Sequence, residues 1–282
     1  FTGGCDRFIK GCGHCPQLGS ASLRDLSAQI WERKNQLFQT LSSEQLHLVA
    51  ISHWMERKIA ESPFLGRFPV TWIPNGVDTD IFQPRDRASA REFLFELPKD
   101  SKIILFVSAS LTNKRKGFAQ LRDALATLDN TDNLYCVSVG SGSVSLPDNI
   151  PHLHLGMVNN PRFMSFIYSA ADVFVIPSAE DNLPNTVLES LACGTPVIGF
   201  NVGGIPDMVR PGITGELVPP GSISDLAKTI TAMLEESSDT MAKMRQNCRQ
   251  VILNEYPSAL QAQRYADLYE NIIKTHQTGT QT

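Results

Sequence analysis

Residues Pro177–Val202 read PSAEDNLPNTVLESLACGTPVIGFNV, and this stretch decides the fold class. The segment running into it, ADVFVIPS (Ala171–Ser178), is apolar, partly β-branched and closed by a proline, the pattern of a buried parallel strand. Asn182-Leu183-Pro184-Asn185 turns the chain, Thr186–Cys193 has helical spacing, and Gly194 supplies the C-terminal stop. VIGF then reads as the next strand. Open α/β sheets bind ligands at such strand–loop–helix–strand units, where polar groups gather at the strand's carboxyl end. The helix N-terminus at Asn185–Val187 offers backbone N–H groups that suit a phosphate.

Two carboxylates, Asp181 in the loop and Glu189 one turn inside the helix, are eight positions apart and can face one crevice. This segment closely resembles the signature of the retaining glycosyltransferases of family four, in which two acidic residues separated by seven others precede Ala-Cys-Gly-Thr-Pro-Val. The resemblance implies that Glu189 holds the ribose of a nucleotide-sugar donor and that Asp181 sits beneath the donor hexose. It also implies that Asn182 and Leu183 orient the sugar and that Pro184, Asn185, Thr186 and Val187 complete the donor loop. The usual residue at position 181 is Glu, so this chain is one methylene shorter there. Glu180 is adjacent, but neighbours in an extended loop point to different sides.

The resemblance extends upstream. IPNGVDTDIFQP (Ile73–Pro84) is similar to the family's hinge between two Rossmann-like domains: the prolines stiffen it, and Asn75-Gly76 is a pair tolerant of positive φ. KIILFVSAS (Lys102–Ser110) is an apolar strand, and Lys116-Gly117 opens a helix. Family members grip the donor diphosphate here with an Arg and a Lys five residues apart; Lys116 matches the Lys, but Leu111 stands where the Arg would be. Lys114 and Arg115 are the neighbouring cations that could take its role, Arg through a bidentate fork and Lys as a point charge. Gly140 follows the strand LYCVSV and permits close approach of a ligand. HLHLGMV (His152–Val158) should run beside the nucleotide base, with Val158 against it. His152 and His154 alternate on that strand and read as polar edge residues, not a metal pair. Ser190 lacks a His/Asp partner pattern, which excludes a hydrolase triad.

Composition fits an ordinary enzyme. The 282 residues are 42% hydrophobic with a net charge of −4, which argues against a nucleic-acid platform. No apolar run approaches the ~18 residues of a membrane span. The resemblance implies a cytoplasmic protein, with peripheral attachment to the inner face of the membrane left open.

The expected fold is α/β of GT-B type: one complete Rossmann-like donor domain with a parallel sheet, plus the C-terminal remnant of a second Rossmann-like domain. Residues 1–72 are read as the remnant of an acceptor-binding domain, with a Cys-rich segment at 1–18, a helix over Leu23–Leu41, the strand LHLVAIS and the helix HWMERKIAES. The hinge covers 73–85 and the donor domain 86–257. A helix over 258–275 returns toward the N-terminal domain or packs on its own sheet, and 276–282 is expected to be disordered.

Cys136, Cys193 and Cys248 sit in strand or helix contexts and read as small buried apolar residues. Cys5, Cys12 and Cys15 fall within eleven residues among glycines. A structural zinc site, a disulfide and free thiols are all open readings of this cluster. The string FTGGCDRFIKGCGHCPQL also resembles an insert of the bacterial exopolysaccharide (colanic-acid) branch of the same transferases, where a further cysteine is expected.

These readings imply an enzyme that transfers hexose from a UDP- or GDP-sugar to a saccharide or lipid-linked hydroxyl, in cell-surface or exopolysaccharide synthesis. Lys116, its neighbouring cation and the loop amides would stabilise the leaving diphosphate, so no divalent metal is required for transfer. A nucleotide-sugar-binding module, with this truncated chain alone expected to be inactive, and a sugar-nucleotide epimerase of GT-B shape are the alternatives.

Overall fold

A computed structural model describes residues 4–95 and 101–279. The chain divides into two compact units, Phe1–Pro74 with Leu268–Thr282, and Asn75–Asp267.

The larger unit is built on six parallel strands: β3 (Lys102–Ser110), β4 (Leu134–Ser141), β5 (His152–His154), β6 (Val173–Ile176), β7 (Val197–Phe200) and β8 (Gly215–Val218). Their spatial order is β5-β4-β3-β6-β7-β8. The chain therefore winds outward from β3 in one direction, returns, and winds outward from β6 in the other. The strand order reverses between β3 and β6, and such a switch point opens a crevice at the strands' carboxyl ends. The central strands are apolar throughout, as a sheet covered on both faces requires: Ile103–Leu105 of β3 and Val173–Val175 of β6 have no accessible surface. Helices α4 (Phe118–Leu125), α5 (Pro161–Ala170), α6 (Asn185–Ala192), α7 (Ile205–Met208), α8 (Ile223–Glu235) and α9 (Ser238–Glu255) connect and follow them. An additional helix, α3 (Arg87–Phe95), lies before β3, tied in by Arg91 to the Ala170 and Ser101 carbonyls and to Asp172.

The stretch Asn75–Arg85 belongs to this unit and is fastened from several sides. Val77 bridges Pro257, and the Arg249 guanidinium reaches the Thr79 and Phe82 carbonyls. Gly76 is needed for a different reason from the one its Asn-Gly pairing implied. Its φ is not positive, but a Cβ there would lie 2.5 Å from the Ser258 Cα.

The smaller unit holds a strand–helix–strand motif, β1 (Leu48–Ala50), α2 (His53–Ala60) and β2 (Val70–Trp72), with its strands parallel, and a preceding helix α1 (Leu26–Gln39). Phe38 stacks on Phe64 and meets Phe68 edge-on, while the Trp31 indole donates to the Phe8 carbonyl. The long helix α10 (Ser258–Gly279) starts in the larger unit and ends in the smaller. It carries the chain four residues beyond the expected end at 275, so His276–Gly279 are helical; residues 280–282 of the tail expected to be disordered lie outside the described part.

Cys5, Cys12 and Cys15 line one cavity of about 490 Å³ together with Phe8, Ile30 and Trp31. Among the described residues no group of three or more His, Cys, Asp or Glu is arranged to hold a metal ion. The nearby carboxylate, Asp25, caps α1 and accepts from the Cys15 N–H, the Ala28 N–H and the Ser27 hydroxyl. Cys136, Cys193 and Cys248 are buried, and burial pushes each thiol up to about 12.

Candidate functional site

The carboxyl end of β3 breaks its pairing with β4 between Val107 and Ser110, and the chain turns away through a 3-10 turn at Lys114–Lys116. Gly117 stops that turn at φ 83°, and a side chain there would collide with the Pro177 carbonyl at 1.8 Å. Only glycine lets the start of α4 come this close to the end of β6. The contact brings Lys116 over the loop that follows β6.

That loop is held by backbone contacts. The Ala179 N–H donates to the Arg115 carbonyl at 2.8 Å, and the Arg115 guanidinium donates to the Glu180 carbonyl at 3.0 Å. Arg115 thereby braces the loop through one of its N–H donors. Asp181 is buried, and its Oδ2 accepts from Lys116 Nζ at 2.5 Å and from the Ser178 hydroxyl at 3.3 Å. On its other side Gly203, at φ 56°, packs so tightly that a Cβ would lie 1.7 Å from the Asp181 carbonyl. The Gly204 N–H donates to that same carbonyl. Lys116 and Asp181, assigned separate tasks from the sequence, are thus an ion pair.

The loop continues through Asn182 into the buried Leu183 and Pro184 and starts α6 at Asn185. No side chain caps this N-terminus. The Val187 N–H is already donated to the Pro184 carbonyl at 3.0 Å, which removes it from the phosphate seat expected at Asn185–Val187. The first two helical N–H groups, of Asn185 and Thr186, occupy the positions that an α-helix leaves without internal partners. The Asn185 side chain accepts from Asn75 at 3.0 Å.

Glu189, one turn on, lines a cavity of about 330 Å³ with Ser108, Gly140, Val158, Phe82 and Met164. Gly140 is required there: at φ 144°, a Cβ would sit 1.9 Å from the Ser108 carbonyl. Three positions picked from the sequence, Gly140, Val158 and Glu189, therefore come together around one space. Burial raises the Glu189 carboxyl above its ordinary value, and a hydrogen bond from Tyr168 works against that rise. The Tyr168 O–H to Glu189 Oε2 distance is 2.8 Å. Tyr168 was not singled out by sequence; its only signal is a tyrosine on an otherwise apolar helical face, whose O–H needs a partner when buried. His152 and His154 lie away from this cavity and share the Ser138 hydroxyl at 2.7 and 3.0 Å.

Residues 90–251, more than half of the chain, match the family described as glycosyl transferases group 1. The chain is 33% identical over 178 residues to a D-inositol 3-phosphate glycosyltransferase of Mycobacterium sp. (strain KMS), covering 60% of this chain and 40% of that protein. It thus spans less than half the length of the curated relatives it matches. Among solved structures, sucrose-phosphate synthase from Thermosynechococcus elongatus superposes with a TM-score of 0.73 at 25% identity, over 92% of this chain and 65% of that one. Anabaena Alr3699/HepE, solved in complex with UDP and glucose, gives 0.68 at 19% identity, over 92% and 70%. The α/β fold with parallel sheets is that of GT-B glycosyltransferases over the part covered.

Proposed function

The chain belongs to the group 1 glycosyl transferases, and on that premise we propose that it moves a hexosyl group from a nucleoside-diphosphate sugar to an acceptor hydroxyl, with retention of anomeric configuration. One observation carries the reading. A half-buried carboxylate lining a cavity (Glu189) and a cation paired with a buried carboxylate (Lys116 with Asp181) gather at the switch point of one parallel sheet.

In this reading the nucleoside fills the cavity beside Ser108, Gly140 and Val158, with its ribose on Glu189. The diphosphate takes Lys116 and the Asn185 and Thr186 amides, and Asp181 with Asn182 and Leu183 orients the hexose. Negative charge grows on the diphosphate as the sugar leaves, and fixed donors aimed at that charge stabilise the transition state; losing one such contact costs about 10²–10³ in rate. The nucleotide named for the Anabaena protein makes UDP the first base to test. The acceptor, a saccharide or lipid-linked hydroxyl in exopolysaccharide synthesis, is supported by the resemblance of the Cys-rich string alone.

The test is direct. The chain is incubated with labelled UDP- and GDP-hexoses, with and without saccharide or lipid-linked acceptors, while calorimetry measures binding of UDP and GDP. Affinity for one nucleotide and acceptor-dependent release of it are expected. Failure to bind either nucleotide sinks the proposal.

A further inference from the structure

Glu189 is held by a residue that does not itself face the cavity. Tyr168 is fully buried, and its ring is fixed edge-on between Phe82 and Phe174, with centroids 6.4 and 5.9 Å away. Its carbonyl is also taken, accepting from the Thr195 hydroxyl at 2.6 Å, so both ends of the residue are anchored. Phe82, one of the two rings that clamp it, also lines the cavity with Glu189.

Among the described residues the Tyr168 O–H is the one side-chain hydrogen bond that Glu189 receives, and no cation pairs with it. The other titratable groups around it are Cys193, which caps the C-terminus of the same helix, and, beside Cys193, Arg249 of α9. The Arg249 guanidinium is committed to the Ala192, Phe82 and Thr79 carbonyls. A carboxylate in such surroundings can rotate, and can also pick up a proton, because burial favours its neutral form. A phenol kept protonated by burial is a permanent donor that opposes both.

We propose that Tyr168 is the positioning residue for Glu189: by holding Oε2 it leaves Oε1 as the acceptor for a vicinal hydroxyl of the bound nucleotide and keeps the carboxylate ionised. This rests on the reading of Glu189 as the ribose ligand. Tyr168 touches no ligand, so it acts only through Glu189.

Two measurements separate this proposal from the functional reading beneath it. The first needs no ligand: carboxyl ¹³C NMR follows the ionisation of Glu189 in the whole chain and in Tyr168→Phe. A midpoint moved to higher pH in the variant is expected, because the removed O–H stabilised the charged form. An unmoved midpoint overturns the proposal. The second is calorimetric titration with UDP and GDP between pH 5 and 8. Tyr168→Phe should bind about 10-fold more weakly, the loss growing as pH falls into the range where Glu189 takes up its proton. A pH-independent loss would mean that Tyr168 is merely structural. Tyr168→Phe placed on a Glu189→Gln background serves as the control for folding: there it should change affinity little, and a full additional loss overturns the proposal. If the NMR midpoint moves but no nucleotide binds the whole chain, the nucleotide reading fails while the coupling of Tyr168 to Glu189 stands.

Discussion

Lys116 Nζ lies 2.5 Å from Asp181 Oδ2, joining the start of α4 to the loop after β6 through one ion pair. Both partners are largely out of solvent, so each stands in for a ligand the other would otherwise need. A diphosphate reaching Lys116 has to compete with Asp181 for the same ammonium. On the proposed reading, Lys116 changes partner when a donor diphosphate arrives, and Asp181 is released toward the sugar.

Lys116→Ala should weaken nucleoside diphosphate binding about 10- to 100-fold and hardly affect the matching nucleoside, which has no phosphate to lose. It should also lower stability by about 1–3 kcal/mol, because Asp181 is left buried without its cation. Adding Asp181→Asn should restore much of the stability without restoring the affinity. Calorimetry with both ligands and urea melts of both variants read this out. Equal losses for nucleoside and nucleoside diphosphate would assign Lys116 a structural role only.

Glu189→Gln is expected to pull function and stability in opposite directions. Nucleotide affinity should fall, since an ionised acceptor is replaced by a neutral one. The ligand-free protein should become more stable at neutral pH. Burial raises the folded carboxyl above its ordinary 4.5, so the folded state binds the proton where the unfolded state has lost it, and stability falls as pH rises through that range. Gln escapes this cost. The variant's melting temperature should exceed that of the parent at pH 7, and the advantage should vanish below pH 4.5, where Glu189 is neutral in both states. A gain that persists at low pH would show that the carboxylate charge is not its source.

Gly203→Ala tests how the Asp181 loop is held. The methyl would meet the Asp181 carbonyl at 1.7 Å in a left-handed conformation, so the loop must move. Destabilisation of about 1–3 kcal/mol is expected, with a larger loss of affinity for a nucleotide-sugar than for the nucleoside diphosphate, compared by calorimetry. An unchanged ratio of the two affinities would mean that Asp181 does not face the sugar.

Much of this architecture could be read from residues 102–200, because a sheet covered on both faces writes itself as apolar runs, and the runs at 134–139 and 171–176 end at a glycine and a proline. The crevice followed from the same logic, which is why Gly140, Val158 and Glu189 meet around one cavity. What escaped depends on partners that carry no sequence signal. Arg115 binds a backbone carbonyl, which any residue at 180 would supply. Val187 loses its amide to Pro184 because α6 begins with a tight first turn. Tyr168 meets Glu189 only after α5 and α6 have packed, across 21 positions of sequence. β2, three residues long, is too short to show alternation. Asp172 gathers Arg87 and Arg91 of α3 and the Ile103 N–H of β3 from two separate segments, and none of them looks unusual where it stands.

Asp181 and Glu180 offer the sharpest test of register. Asp181 Oδ2 is the atom bound to Lys116, whereas Glu180 is tied by its backbone carbonyl to Arg115. A carboxylate one methylene shorter than the family's usual Glu still reaches the ammonium, because Gly203 lets the loop backbone pack close and Gly117 brings Lys116 near. Asp181→Asn removes the charge and keeps the shape. It should cut hexosyl transfer by about 10²-fold or more if that carboxylate orients the donor sugar. Binding of nucleoside diphosphate should be unchanged or tighter, since Lys116 is released from its partner. Glu180→Gln should leave both near the parental values. Steady-state transfer assays and calorimetry on the two variants decide it. Loss of transfer in Glu180→Gln, with Asp181→Asn active, would place the functional carboxylate one residue earlier and reduce the Lys116–Asp181 pair to a structural clasp.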